Sequence, residues 1–222
     1  MTTYTLDIET DSLDAKVIWC VCVKTLGDNE WVVATKPEDL SFIQKTDIII
    51  THNGIEFDIP ILNRLWSTGI TLSQVRDTLI LSRLFNPDRD GGHSLGQWGK
   101  RLAFDKLGFS EFDQYSEEMV RYCKRDVALT EKVYLHLRRE GSEFSDKSIV
   151  LEHEIAHIIN LQSKHGFYLD KDKANKLYEE TYYKAKLIER EIKQEFKPKP
   201  KFVREVVPKI KKDGTMSTVG LN

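Results

Sequence analysis

Asp7 and Glu9 stand two apart in the opening segment Tyr4-Thr5-Leu6-Asp7-Ile8-Glu9. In a strand, that spacing sends both carboxylates to one face. Adjacent carboxylates repel unless a cation lies between them, and a divalent metal is the simplest such partner. Acids also occur on exposed strand faces, so the pair alone is a weak signal. A second group, His52-Asn53-Gly54-Ile55-Glu56-Phe57-Asp58, follows the β-branched run Ile48-Ile49-Ile50. Ligands of α/β sheets commonly lie just beyond the carboxyl ends of strands. Asn53-Gly54 can turn the chain, and Asp58 opens a helical pattern with Pro60 in its first turn. An ordinary turn with an acidic helix start explains the same residues. Tyr122 and Asp126 are four apart in a third segment and share a helix face. Met119, Cys123, Val127 and Thr130 mark a neighbouring face that can pack inward.

The elements that must hold these side chains are legible in the periodicity. Tyr4, Leu6 and Ile8 alternate with Thr5, Asp7 and Glu9, the pattern of a strand with one buried face. Val17 to Val23 is nearly continuous apolar, and Glu30 to Thr35 follows the Gly27-Asp28-Asn29 turn, so an antiparallel meander is expected. Pro37 to Gln44 reads as a short helix, and Ile48 to Ile50 as a strand covered on both faces. Helices are expected over about 57–67, 77–85, 94–102 and 116–138, with loop chemistry at Asn86 to Gly92. A polar stretch at 141–147 marks an expected boundary between a first domain, 1–145, and a helical region, 146–222. That region reads as helices over about 148–164 and 171–195, with Gly166 as a stop. Pro198, Pro200 and Pro208 then break regular structure, and about 25 terminal residues read as extended or disordered.

The chain has 222 residues, 40% hydrophobic and 31% charged, which is a globular balance with room for one full domain and an appendage. No apolar run reaches the length of a membrane span, and the opening residues read as a strand, so no secretion signal is expected. Three cysteines form no disulfide framework, which fits a reducing cytosol. Cys20 and Cys22 read as small buried strand residues rather than as a metal site. The net charge of −2 excludes a general polyanion binder, yet residues 193–212 hold eight Lys or Arg against two Glu. Such a segment is either a contact for a polyanion or a solvated tail.

Taken together, the three acidic segments resemble the exonuclease superfamily that uses four acidic metal-site residues, in its tyrosine variant. Asp7-Ile8-Glu9 matches the first motif, Asn53 to Asp58 the second and Tyr122 to Asp126 the third. Arg121 occupies the position where the histidine variant carries its histidine. The segments DIETDSLD, THNGIEFDIP, DTLILSRLF, HSLGQWGKRL and EEMVRYCKRDVALT are similar to the proofreading domain of family A DNA polymerases, especially those of T7-like phages. The likeness covers residues 4 to 138 and continues weakly through Glu152 to Asp170, similar to the segment that begins the polymerase part. The polymerase motifs that would follow are absent, so a fragment, a truncated product or half of a split polymerase is expected.

This resemblance implies an α/β, ribonuclease H-like mixed sheet, an antiparallel meander plus parallel strands flanked by helices, followed by a small helical region. It implies a 3′→5′ exonuclease that releases nucleoside 5′-monophosphates from the 3′ end of single-stranded DNA. It also implies two divalent cations, Mg²⁺ or Mn²⁺, about 4 Å apart. Asp7 bridges them, Glu9 and Asp126 complete the ligands of the first ion, and Asp58 serves the second. Tyr122, with an ordinary pKa of about 10, is expected to orient the attacking water rather than abstract its proton. Thr10, Leu13, Asn53 and Phe57 are the substrate contacts implied, with Leu13 as an apolar wedge and Phe57 as either a stacking face or core. His93, after a Gly-Gly loop, is either a phosphate contact or a helix cap. The expected partner is a DNA polymerase part in the same or a separate chain. The expected location is the cytoplasm, that of the host if the chain is phage-encoded.

Three other readings compete. His153-Glu154-Ile155-Ala156-His157 satisfies the H-E-x-x-H pattern of zinc proteases. Leu151, Ile155, Ile158 and Ile159 mark the expected buried stripe of that helix, which turns both histidines toward solvent and argues against a peptidase. An RNA exonuclease of the same superfamily is a second alternative. A DNA-holding subunit that docks a separate polymerase chain is a third.

Overall fold

The computed structural model describes residues 1–197 together with Lys201, Ile210 and Lys211. The basic segment 193–212 and the terminal stretch expected to be extended lie largely outside the described residues. The chain divides into two compact units, Met1–Gly166 and Phe167–Asn222.

The first unit is built on a mixed sheet. Strands β1 (Thr3–Thr10), β2 (Ile18–Thr25) and β3 (Trp31–Ala34) form the expected antiparallel meander, and β4 (Ile48–Thr51) and β5 (Val75–Asp77) add parallel strands in the order β3-β2-β1-β4-β5. Helices α1 (Asp58–Trp66), α2 (Thr78–Phe85), α3 (Leu95–Arg101), α4 (Glu117–Glu140) and α5 (Asp146–His165) follow the sheet. The short helix expected over Pro37 to Gln44 is a single 3-10 turn at Pro37–Leu40. Strand β5 has no counterpart in the sequence reading.

Alternation along β1 and β2 sorts the two faces of the sheet. Leu6, Ile8, Val21, Val23 and Ile49 pack with Ile55, Ile59 and Leu62 around α1. On the opposite face Cys20 and Cys22 pack with Met119, Val120, Cys123 and Val127 of α4. A third cluster joins Leu81, Leu95 and Trp98 to Leu129, Val133 and Leu137, so α2 and α3 clamp the far half of α4. Helix α4 is well started. The Ser116 hydroxyl accepts from the Met119 amide at 3.1 Å, and Glu117 and Glu118 face the positive end of the helix dipole.

Helix α5 lies beyond the boundary placed at residue 145, yet it packs within the first unit. Its buried contact is polar. His153 is 3% exposed, whereas Leu151, Ile155, Ile158 and Ile159 are 53%, 38%, 61% and 53% exposed. The expected orientation of this helix is therefore reversed: the histidine faces inward and the apolar stripe faces out. In the second unit, α6 (Lys171–Glu195) is capped by Asp170, which accepts from the Lys173 amide at 3.0 Å, and it buries no residue. Among the described residues no helix is long and apolar enough to cross a membrane.

Candidate active site

Strand β1 delivers Asp7 and Glu9 to the face covered by α4, where they pair across the sheet with Cys22 and Cys20. A register irregularity between Glu9 and Thr10 ends regular pairing just past them. Helix α4 brings Tyr122 and Asp126, one turn apart, over the same face. The thiol of Cys123, between them, lies 3.4 Å from the Asp7 carbonyl oxygen and 3.7 Å from Asp7 Oδ2. Asp58 arrives from the first residue of α1, and its Oδ1 accepts from the Ile8 amide at 3.2 Å. Four acids separated by up to 119 positions thus meet around Asp7.

The loop that leads to Asp58 is specifically shaped. Asn53 adopts a left-handed conformation, φ 67°, which asparagine tolerates better than most side chains. A Cβ at Gly54 would lie 2.3 Å from Thr51 Oγ1, so only glycine fits that close approach. Asp77, at the end of β5, accepts from the amides of Asn53 at 2.9 Å and Ile55 at 3.1 Å, and also from Leu79 at the start of α2. One buried carboxylate therefore fixes both the turn and the helix beside it.

The electrostatics are those of crowded, buried acids. Burial, followed by the charges of Asp58, Glu9 and Asp126, pushes Asp7 well above the ordinary carboxylate range. Burial, joined by neighbouring negative charge, lifts Glu9 to about 8 and Asp58 to about 7. Asp126 is also raised by burial, against the pull of Lys106. The Lys106 ammonium lies 2.5 Å from Asp126 Oδ2 and 5.1 Å from the centre of the Tyr122 ring. Its loop is pinned where Arg125 Nε donates to Asp105 O and Trp19 Nε1 donates to Phe112 O, each at 2.8 Å. Asp126 Oδ1 is buried with no hydrogen-bond partner among the described residues. That orphaned oxygen and the all-carboxylate donor set fit a hard divalent cation. Tyr122 is half-buried, stacked on Phe109 at 5.6 Å, and raised by burial, so its phenol is neutral near pH 7.

Of the expected substrate contacts, Leu13 is 90% exposed on the turn after β1. Asn53 is partly exposed at the same end of the sheet. Phe57 packs against the α1 core, and the Thr10 hydroxyl donates to Ser12 O at 2.9 Å. His93 is bonded to Ser82 Oγ at 2.8 Å and faces Pro87 O.

The expectation that His153 faces solvent is corrected. Its Nε2 accepts from the Asp77 amide at 2.8 Å. Its Nδ1 lies 2.8 Å from Ile149 O, which can only accept. Both ring nitrogens are committed, so His153 has none free for zinc, and burial lowers its pKa to about 4. Lys106, Asp77 and His153 are the residues that sequence reasoning did not connect to the site. Asp77 opens the segment DTLILSRLF and His153 the H-E-x-x-H pattern, but nothing in either ties the residue to the acids.

The sheet order and the flanking helices give this domain a ribonuclease H-like fold. No family model matches the chain. In sequence it is similar to the DNA-directed DNA polymerase of Enterobacteria phage T3, at 22% identity over 92% of this chain and 41% of that protein. It is similar to the DNA-directed DNA polymerase of Escherichia phage T7 at 22% identity over 76% of this chain and 35% of that protein. The chain thus spans less than half the length of the curated relatives it matches. Its fold is similar to that of Brucella melitensis NrnC, with a TM-score of 0.60 at 18% identity over 74% of this chain and 86% of that one. The form of NrnC with bound Mg²⁺ gives 0.57 at 19% identity over 74% and 86%. The catalytic core of RRP6 from Trypanosoma brucei gives 0.54 at 17% identity over 72% and 47%. The resemblance to T7-like phage polymerases drawn from the motifs therefore holds.

Proposed function

We propose that the chain is a metal-dependent 3′→5′ exonuclease that hydrolyses the terminal phosphodiester of single-stranded DNA, as the proofreading part of a phage-type polymerase. The observation that carries this reading is the meeting of Asp7, Glu9, Asp58 and Asp126 in one buried cluster, which is unfavourable without bound cations. Similarity to two DNA polymerases favours DNA over RNA.

In this reading the four carboxylates hold divalent cations of the Mg²⁺ or Mn²⁺ class. Such cations, when bound, make water a better nucleophile and offset charge on the scissile phosphate and the departing 3′ oxygen. The Tyr122 phenol donates or accepts a hydrogen bond to align the attacking water, its neutrality making it a positioning group. The exposed Leu13 meets the terminal base, where an apolar contact does not depend on sequence. Asn53 offers its side chain to the strand from a backbone fixed by Asp77. Phe57 and Thr10 support this surface from below. Lys106 neutralises Asp126 and holds positive charge beside Tyr122, where a phosphate approaches. The partner is a polymerase part in the same or a separate chain, and the exposed apolar stripe of α5 is available to it.

The test is incubation with 5′-labelled single-stranded DNA and, in parallel, RNA of the same sequence, with Mg²⁺ or with EDTA. A ladder shortening from the 3′ end of DNA, absent in EDTA and in Asp7→Ala, is expected. Equal degradation of RNA would move the substrate to the alternative. Full activity of Asp7→Ala would overturn the site.

A further inference from the structure

The three cysteines of this chain all meet at one point. Cys20 and Cys22 come from β2, and Cys123 comes from α4 about a hundred positions later. Their sulfur atoms lie within 4.8 Å of one another and all three residues are fully buried. Spacing alone made Cys20 and Cys22 look like filler. The third thiol turns a pair on one strand face into a three-sided cradle closed by a helix.

The dimensions suit a soft cation. With Zn–S bonds of about 2.3 Å and tetrahedral angles, ligand sulfurs sit roughly 3.8 Å apart. The cradle needs to contract by at most about 1 Å per pair to reach that geometry. Asp7 is the candidate fourth ligand: it borders Cys123 and has to swing toward Cys20 and Cys22 to complete the set. Asp7, Glu9 and Cys123 also bring their ligand atoms within 4.8 Å of one another, and Asp7 Oδ2 is 3.7 Å from Cys123 Sγ. The thiols give up little in binding. Cys22 Sγ is 3.9 Å from Val120 O and Cys123 Sγ is 3.4 Å from Asp7 O, both weak donor contacts. Trp19, Trp31, Phe109 and Phe112 flank the cradle, so access is from the acid cluster, where Asp7 is partly exposed.

We propose that Cys20, Cys22 and Cys123 form a site for a thiophilic divalent cation of the zinc or cadmium class, with the Asp7 carboxylate as fourth ligand. Each thiol that binds releases its proton to solvent. The site adjoins the carboxylate cluster and shares Asp7 with it. Thiolates select soft ions and carboxylates select hard ones, so the two neighbouring sites compete through one side chain. Loading the thiols withdraws Asp7 and stops hydrolysis, a consequence that rests on the proposed nuclease activity, whereas the binding does not.

The experiment is a titration of the reduced full chain with CdCl₂, read by the ultraviolet thiolate-to-cadmium absorption and by metal content after desalting. One cadmium per chain, with a thiolate band, is expected. Cys123→Ser and Cys20→Ala, each checked for folding by circular dichroism, should lose the band, and Asp7→Asn should weaken binding while keeping it. Excess MnCl₂ should raise the cadmium concentration needed. Absence of the band in the folded parent, or an undiminished band in folded Cys123→Ser or Cys20→Ala, overturns the proposal. A band with no loss of hydrolysis overturns the shared use of Asp7. If the parent shows no hydrolysis in Mg²⁺ at all, the nuclease reading fails while the band still reports the thiol site.

Discussion

Replacing Glu9 by glutamine should stabilise the metal-free chain while abolishing hydrolysis, and the size of the effect follows from the site. Burial and the surrounding negative charges lift Glu9 from 4.5 to about 8. At pH 7 the unfolded chain ionises Glu9, whereas the metal-free fold must protonate it. The work is 1.36 kcal/mol per pH unit between 4.5 and 7, or about 3 kcal/mol. The protonated carboxyl and the glutamine amide bury similar polar surface, so the substitution removes this cost without adding a comparable one. A carboxyl raised in the fold favours folding fully below its unfolded value and loses that contribution as pH rises toward its folded value. The gain from Glu9→Gln should therefore be below about 1 kcal/mol at pH 5, about 3 at pH 7, and level off above pH 8. For a chain of this size, 3 kcal/mol corresponds to roughly 6–12 °C in melting temperature. Thermal or urea unfolding in EDTA at pH 5 and pH 7, beside hydrolysis of labelled DNA in Mg²⁺, makes the measurement. A variant no more stable than the parent at pH 7, or equally stabilised at both pH values, would show that the acid cluster is not electrostatically strained.

Three further outcomes are expected. Mn²⁺ or Mg²⁺ should raise the melting temperature of the parent, more at pH 8 than at pH 6, because the carboxylates that bind them are protonated in the metal-free fold up to about 7 and 8. A thermal shift that ignores pH counts against this assignment. Lys106→Met should lower the hydrolysis rate roughly tenfold, about 1.4 kcal/mol, by leaving Asp126 without its cation, and Lys106→Arg should retain most of the rate; single-turnover kinetics distinguish this from weaker binding. His153→Leu should cost about 1–3 kcal/mol in urea unfolding at pH 7, because it strands the buried Asp77 amide. His153 is lowered in the fold to about 4, so the parent's advantage is full above pH 6.5 and fades as pH falls toward 4; an advantage that persists undiminished at pH 4 would contradict the buried neutral imidazole.

What the sequence disclosed is what leaves a local or periodic trace. Alternation in β1 and the long amphipathic run of α4 gave the two elements that carry Asp7, Glu9, Tyr122 and Asp126, and the boundaries fell within a few residues of those found. Strand β5 left no trace. Its three residues are too few to alternate, and its pairing with β4 is made across an intervening helix. Lys106 was equally invisible, because no spacing rule links a loop lysine to a carboxylate twenty positions later. Tertiary contacts alone bring that loop onto α4, among them the hydrogen bond from Arg125 to Asp105 and the stacking of Phe109 on Tyr122.

Helix α5 marks a different limit. The 3.6-residue period correctly identifies one apolar and one polar face, but it cannot say which face has a neighbour. Apolar stripes usually turn inward, and that default placed His153 in solvent. Within this unit the neighbour is the end of β5, whose Asp77 amide needs an acceptor once Val75 to Asp77 pairs with β4. An imidazole nitrogen satisfies it, whereas no residue of the apolar stripe could. His153 is therefore buried by the demand of one backbone N–H, and most of the apolar stripe is left exposed. The same demand explains why an H-E-x-x-H pattern here cannot bind zinc through His153: the nitrogen that would ligate the ion already accepts from the sheet beside Asn53 and Asp58.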